Sequence, residues 1–274
     1  MTQEITVVLP FSGELFGKVK NANLAVQAKE SDDLGEVAAA AQSQNKLAAI
    51  LLSTSKLELP AGLQPRSAPV SLYLETAGRF LDYAVRVNEF AGAPVRFYFP
   101  ATPGNAVAVR LLSSLGVKAG LDLRGENTDW DAACELLHYD AYGKMPHEPI
   151  EPFASAYLQH GSSTYCEAYL ERAGKYVHCD EAGNLANSRR ELADRVYIGT
   201  LDGLSGLDVA AQAAAARKRE LSVFMKLEGC SVCPGYKVCA RKNPAQKMEA
   251  CGCKDFMTAL LEAAREVNLR KGER

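Results

Sequence analysis

The residues of this chain best suited to chemistry are cysteines. Five of the eight lie between positions 230 and 253. Three are set as Cys230-Ser-Val-Cys233-Pro-Gly-Tyr-Lys-Val-Cys239, and two more form Cys251-Gly-Cys253. Short spacers let several sulfurs reach one centre, and Pro234-Gly235 supplies a turn that bends the chain round it. Soft thiolates select zinc, copper(I) or iron–sulfur clusters. The competing reading is a set of buried or disulfide-bonded cysteines, but clustering at CxxC spacing favours metal. Lys237, Arg241, Lys242, Lys247 and Lys254 surround the cage and would offset thiolate charge, although a solvated basic loop has the same pattern.

The remaining candidates are weaker. Cys134 sits in the apolar helical stretch WDAACELL and reads as a small buried residue. Cys166 and Cys179 stay open between relics of a lost site and ligands with partners elsewhere. His138, His147, His160 and His178 show neither HxH nor HExxH spacing. His178 adjoins Cys179, but neighbours in a strand point to opposite faces, so His178 reads as a non-ligand. Pro10-Phe11-Ser12-Gly13 comes after the first apolar run, where α/β folds place ligands, yet reads foremost as a plain βα loop. Pro100-Ala-Thr-Pro103-Gly104-Asn105 lacks a phosphate-binding pattern, and Asn105 reads as a helix N-cap.

The elements that must position these residues alternate over the first half. Ile5–Leu9, Leu47–Leu52, Val70–Leu74, Val95–Phe99 and Val117–Leu123 have strand character. Between them Leu34–Gln44, Ala77–Phe90, Asn105–Leu115 and Asp129–Leu137 have helical spacing. About five βα units fit before residue 140, which predicts an α/β fold with parallel strands. The spacing does not decide between an incomplete barrel and a doubly wound sheet. Lys144–Phe153 carries three prolines and reads as a linker. Tyr176–Cys179, the polar turn Asp180–Asn184 and Val196–Gly199 read as a hairpin. Asp208–Lys226 is predicted to be a long Ala-rich helix, and Phe256–Leu269 an amphipathic one.

Bulk properties narrow the classes. The chain has 274 residues, 47% of them hydrophobic, and a net charge of −2. Nothing in that charge argues for a nucleic-acid partner or an anionic membrane. No apolar run reaches the ~20 residues of a membrane span, and no secretory leader is visible. A cytoplasmic setting is expected, where metal ligation is commoner than disulfides.

The hairpin from Tyr176 to Leu185, the later Ile198-Gly199-Thr200-Leu201 and the CxxCx5C block together resemble the SPASM domain. That domain is the C-terminal iron–sulfur extension of radical SAM enzymes that mature peptides and cofactors. The resemblance spans roughly residues 150–265 and implies an upstream partial (β/α) barrel. On this reading residues 1–143 form a degenerate radical SAM-like partial barrel, and residues 144–274 a small α+β, cysteine-rich SPASM-like domain. The family's full pattern holds two auxiliary [4Fe–4S] clusters. Here Cys166 matches its first cysteine and Gly183 its glycine. The cysteine expected five residues after that glycine is Ser188, and the one expected after Cys239 is Asn243. The resemblance therefore implies one retained [4Fe–4S] cluster, held by Cys230, Cys233, Cys239 and Cys253, with Cys251 the alternative fourth ligand and zinc the alternative metal.

The larger departure is that no CxxxCxxC occurs in the sequence. Radical chemistry needs that loop to leave one iron open to S-adenosylmethionine, so cleavage of S-adenosylmethionine is not expected. The role this implies is that of an accessory protein, partnering a radical SAM enzyme or its precursor peptide in substrate recognition or electron transfer. An enzyme with a pocket at the strand ends and a structural cluster is the second expectation. An unclosed barrel would also leave edge strands open to another chain.

Overall fold

The computed structural model describes residues 5–43, 45–63, 68–78, 85–125, 127–158, 168–172, 174–226, 232–233, 235 and 253–272. In chain order the first elements are β1 (Thr6–Pro10), α1 (Gly13–Lys18), β2 (Asn23–Ala28), α2 (Leu34–Gln42), β3 (Lys46–Ser53) and β4 (Val70–Tyr73). Then come α3 (Val87–Phe90), β5 (Val95–Pro100), α4 (Pro103–Ser114), β6 (Ala119–Asp122), α5 (Trp130–Tyr142) and α6 (Phe153–Leu158). The last are β7 (Tyr176–Cys179), β8 (Asn184–Ala186), α7 (Arg189–Ala193), β9 (Gly199–Thr200), a 3₁₀ turn (Leu201–Gly206), α8 (Val209–Lys226) and α9 (Cys253–Gly272). The fold is α/β with mostly parallel strands, as the alternation predicts. The chain divides into two compact units, each built from three segments. The first is Met1–Thr54, Glu58–Leu72 and Leu170–Glu220, and the second is Ser55–Leu57, Tyr73–Tyr169 and Leu221–Arg274.

In the first unit the strands lie in the order β4-β3-β2-β1-β7-β8-β9. β1, β2 and β3 are parallel, with Leu9 opposite Val26 and Val26 opposite Ile50. Val7, Val8, Leu9, Leu24, Val26 and Ile50 are all but inaccessible to solvent. Such continuous apolar runs mark strands covered on both faces, and each large side chain contributes about 1.5–3 kcal/mol on burial. β2 is absent from the sequence-based expectations because Leu24-Ala25-Val26 is too short an apolar run to stand out. α1 replaces the expected loop after β1: the Ser12 hydroxyl accepts the Leu15 N–H at 3.4 Å and starts the helix.

β7 continues this sheet, parallel to β1, with Val8 opposite His178. The hairpin partner of β7 is β8, with His178 opposite Ala186. The expected second arm, Val196–Gly199, lies further on, and only Gly199 and Thr200 pair, with β8 rather than β7. Asp180 sets the tight turn: its carboxylate accepts the backbone N–H groups of Ala182 and Asn184 at 3.0 and 2.8 Å.

In the second unit β5 and β6 pair in parallel, with Phe97 opposite Ala119. The expected helix Ala77–Phe90 falls partly outside the described residues; α3 is its last turn. The N-cap of α4 is Thr102, not Asn105, because Pro103 at the first helical position fits a helix start. Asn105 is instead buried and ties two strand ends together, donating to the carbonyls of Glu75 and Pro100 and accepting the Ala77 N–H. Asp129 caps α5, accepting the Ala132 N–H at 2.9 Å. α9 packs on α5 and α6 through a stripe of Phe256, Met257, Leu260, Ala263 and Ala264, spaced for one helix face.

The expected linker Lys144–Phe153 is firmly held. Leu121 donates to the Glu151 carbonyl at 2.9 Å and Glu151 donates to that of Ala119, forming a parallel bridge on the free side of β6. This edge is therefore covered, contrary to the expectation of an open edge there. A β-carbon on Gly120 would lie 2.5 Å from the Glu151 carbonyl oxygen, so only glycine admits the strap.

Candidate metal centre

Of the five clustered cysteines, the structure describes two, Cys233 and Cys253. Cys230, Cys239 and Cys251, like Cys166 and Asn243, lie outside the described residues. Cys253 opens α9 and is half-buried, as is Cys233. Neither is joined in a disulfide, and the same is true of Cys134 and Cys179.

Gly235 relates the two cysteines. It is buried, and a β-carbon there would lie 2.5 Å from Cβ of Met257 and 3.1 Å from its sulfur. The turn carrying Cys233 therefore rests its backbone on Met257. Met257 is four residues after Cys253, so the two share a face of α9. Met257 is 1% exposed and belongs to the buried stripe. Gly235, two residues after Cys233, is thus seated on the helix face that begins with Cys253. Sequence reasoning missed Met257, although its i, i+4 relation to Cys253 and its place in the apolar stripe are both readable.

The floor beneath this face is aromatic. The Phe256 ring lies 5.2 Å from Trp130 of α5 and 6.1 Å from Phe153 of α6. Cys134 of α5 is half-buried rather than enclosed. Burial, and then the charges of Asp131 and of Asp255 on α9, push its thiol above the ordinary range. Among the described residues no three His, Cys, Asp or Glu side chains are grouped as a metal would require. Of the candidate ligands the described residues thus include two thiols, with Gly235 packed on Met257.

The hairpin of the first unit disposes of its polar groups differently. Cys179 is 2% exposed and its thiol donates to the Asp180 carbonyl at 3.3 Å. Burial, reinforced by the Asp180 charge, pushes that thiol up to about 12, which disfavours a thiolate ligand. His178 is also buried, in the strand between β1 and β8. The Ser188 hydroxyl accepts the Glu191 N–H at 3.1 Å and caps α7.

At the strand ends of the second unit, Arg124 forms a two-pronged pair with Asp122 at 2.8 and 2.7 Å. The same guanidinium lies 4.8 Å from the ring centres of both Tyr73 and Tyr169. Tyr73 in turn stacks on Tyr98 at 5.0 Å. Ser12 is a cap and Asn105 a buried tie, so neither strand-end candidate presents a free catalytic group. His147 packs against Tyr139 of α5 at 4.9 Å. Among the described residues no helix is long and apolar enough to cross a membrane. Compared with protein-family models and with curated proteins, the chain matches none.

Proposed function

We propose that this chain is an iron–sulfur accessory protein carrying one [4Fe–4S] cluster in a SPASM-like region. Cys230, Cys233, Cys239 and Cys253 would hold the cluster, with Cys251 beside the last of them. The observation that carries the reading is the packing of Gly235, two residues after Cys233, on Met257 of the helix face headed by Cys253. Four-thiolate ligation leaves no open iron, so such a cluster supplies structure or one-electron transfer. The chain's own residues do the rest: α9 presents Cys253, Met257 supports the turn, and Trp130, Phe153 and Phe256 exclude water below it. With no CxxxCxxC, the radical step belongs to a partner, a radical SAM enzyme acting on a peptide or cofactor precursor. The partial-barrel description of the upstream strands belongs to this same reading.

The test is anaerobic purification, then iron, sulfide and zinc analysis. Brown protein with about four irons per chain is expected. Colourless protein with about one zinc would replace the cluster by a structural zinc site. Trp130, the single tryptophan, gives a second readout. It packs on the helix that bears Cys253, and a visible-absorbing cluster nearby would quench its emission. An anaerobic pull-down tests the role. Recovery of a radical SAM protein or precursor peptide is expected. A lone chain that converts a small molecule unaided would overturn the accessory role while leaving the metal assignment intact.

A further inference from the structure

Independently of the cysteines, the strap of residues 144–152 is bound to a buried acid. Asp140 of α5 has a side chain only 4% exposed. It accepts the Ile150 N–H of the strap at 3.2 Å. His147, also in the strap, places Nδ1 3.8 Å from the same carboxylate and 2.9 Å from the Glu148 carbonyl. Glu148 is fastened to the end of α4, donating its N–H to the Ser113 carbonyl at 3.0 Å and accepting the Ser113 hydroxyl at 2.5 Å. Glu151 then forms the bridge over β6 and an ion pair with Arg96 at 3.1 Å. A buried carboxylate thus holds the middle of the segment that covers the β6 edge.

We propose that residues 144–152 form a pH-responsive latch over the β6 edge, with Asp140 as its sensor: closed most tightly in acid and loosened when the carboxylate ionises. Burial, with a side chain only 4% exposed, opposes the Asp140 charge most, and it outweighs the Ile150 N–H, the Tyr157 hydroxyl and His147, which all favour the ionised form. From the strap come His147, which favours the ionised form, and Glu151, which opposes it. From α6 comes the Tyr157 hydroxyl, buried and facing the carboxylate outside strict hydrogen-bond geometry. Arg270 and Glu266 of α9 act on Tyr142 instead, and Arg110 of α4 lies over Tyr139. No lysine or arginine is paired with Asp140 among the described residues. Burial therefore prevails, and the carboxyl is pushed up to about 6 from 3.8.

The sign comes from proton linkage. Between the unfolded and folded values the closed strap binds more protons than the open one, so raising the pH through that window favours opening. Once the pH is well above 6 no further loss comes from this group. With Asp140 solvated in the open state, the linkage gives about a tenfold rise in opening between pH 5 and 7.5.

Hydrogen exchange of the intact protein tests this, with rates corrected for intrinsic pH dependence. The amides of Glu148, Ile150, Glu151 and Leu121 should lose about tenfold protection from pH 5 to 7.5. Asp140→Asn keeps the acceptor for Ile150 without the charge, and its profile should be flat. His147→Gln should retain the step. A flat wild-type profile, or the same step in D140N, overturns the proposal. So does a step lost in H147Q but kept in D140N, which would make the imidazole the sensor. If D140N does not fold, carboxyl NMR of the wild-type protein decides. A midpoint near 6 tracked by the strap amides supports the latch, and a midpoint near 4 overturns it.

Discussion

The hairpin of the first unit and the start of α9 in the second both carry cysteines, and they treat them in opposite ways. At the hairpin the cysteine and the serine are both engaged in local structure. Cys179 is enclosed with its thiol donating to Asp180, and Ser188 caps α7. At α9 the two described cysteines are half-buried, and the neighbouring glycine is pressed onto Met257. Burial alone does not separate a structural cysteine from a ligand. What differs is exposure and the backbone nearby: Cys179 is enclosed, whereas Cys233 and Cys253 are half-buried beside a glycine packed on Met257. A ligand cysteine must be able to form a thiolate, which burial of Cys179 disfavours.

The largest expected effect breaks this comparison outright if it fails. Cys233→Ala, Cys230→Ala or Cys239→Ala should each remove bound metal, and the segment around the cage should lose several kcal/mol of stability, since metal binding there is folding free energy. Cys179→Ala and Cys134→Ala should keep the full metal content. Metal analysis of purified variants checks both arms. Iron retained in full by the Cys233 variant, or lost from the Cys179 variant, would reverse the roles of the two regions.

A smaller effect sharpens the account of the seat. Gly235→Val places atoms where the Met257 side chain already lies. Overpacking of this kind costs about 1–3 kcal/mol, and metal loading should fall with it. Met257→Ala alone leaves a cavity at a buried position, costing about 2–5 kcal/mol. Combining the two should cost less than their sum, because the new side chain fills the space that Met257 vacates. Thermal or denaturant unfolding of the four proteins gives the coupling energy. Additive losses would mean that the turn does not rest on Met257.

Smaller again is Ser188→Ala. Losing the N-cap of α7 should cost about 1 kcal/mol and leave metal content unchanged. Denaturant midpoints and metal analysis on the same preparation check it. A variant that loses metal without losing stability would make Ser188 part of the site.

Most of the fold is readable in the chain because parallel strands covered on both faces appear as apolar runs, and Leu9, Val26 and Ile50 are buried as such runs require. The unreadable part is tertiary. β7 lies beside β1, so the hairpin from the second half extends the first sheet, and no local pattern in Tyr176–Cys179 announces that partner. Asn105 satisfies the composition of a cap but is drawn into a buried tie because Pro103 starts the helix earlier. The prolines of 144–153 look like a linker, yet Gly120 lets Glu151 approach β6 closely enough to pair. For the site, CxxCx5C is legible from spacing alone. The support from Met257 requires knowing that the turn folds back onto α9.

The smallest effect concerns charge beside the hairpin. Desolvation works against the Glu191 carboxylate, but the hydrogen bonds from Arg219 and Asn187 outweigh it and hold its pKa below the usual range. Arg219 approaches to 2.7 Å, and the Asn187 amide and backbone N–H groups both donate to the other oxygen at 3.1 Å. A carboxyl with a lowered folded pKa stabilises the fold above its unfolded value, and that contribution is lost as the pH falls through the folded one. The pair is still partly open to water, so its worth is about 0.2–1 kcal/mol. Glu191→Gln should therefore lower stability slightly at pH 7, with the difference shrinking as the pH falls below the unfolded value. This is opposite in sign to Asp140, whose burial favours the acid side. Unfolding curves of wild type, Glu191→Gln and Asp140→Asn from pH 4 to 8 should show the first substitution losing its effect toward acid and the second gaining stability toward neutrality. If both variants track wild type at every pH, neither carboxylate is coupled to folding in the way its surroundings indicate.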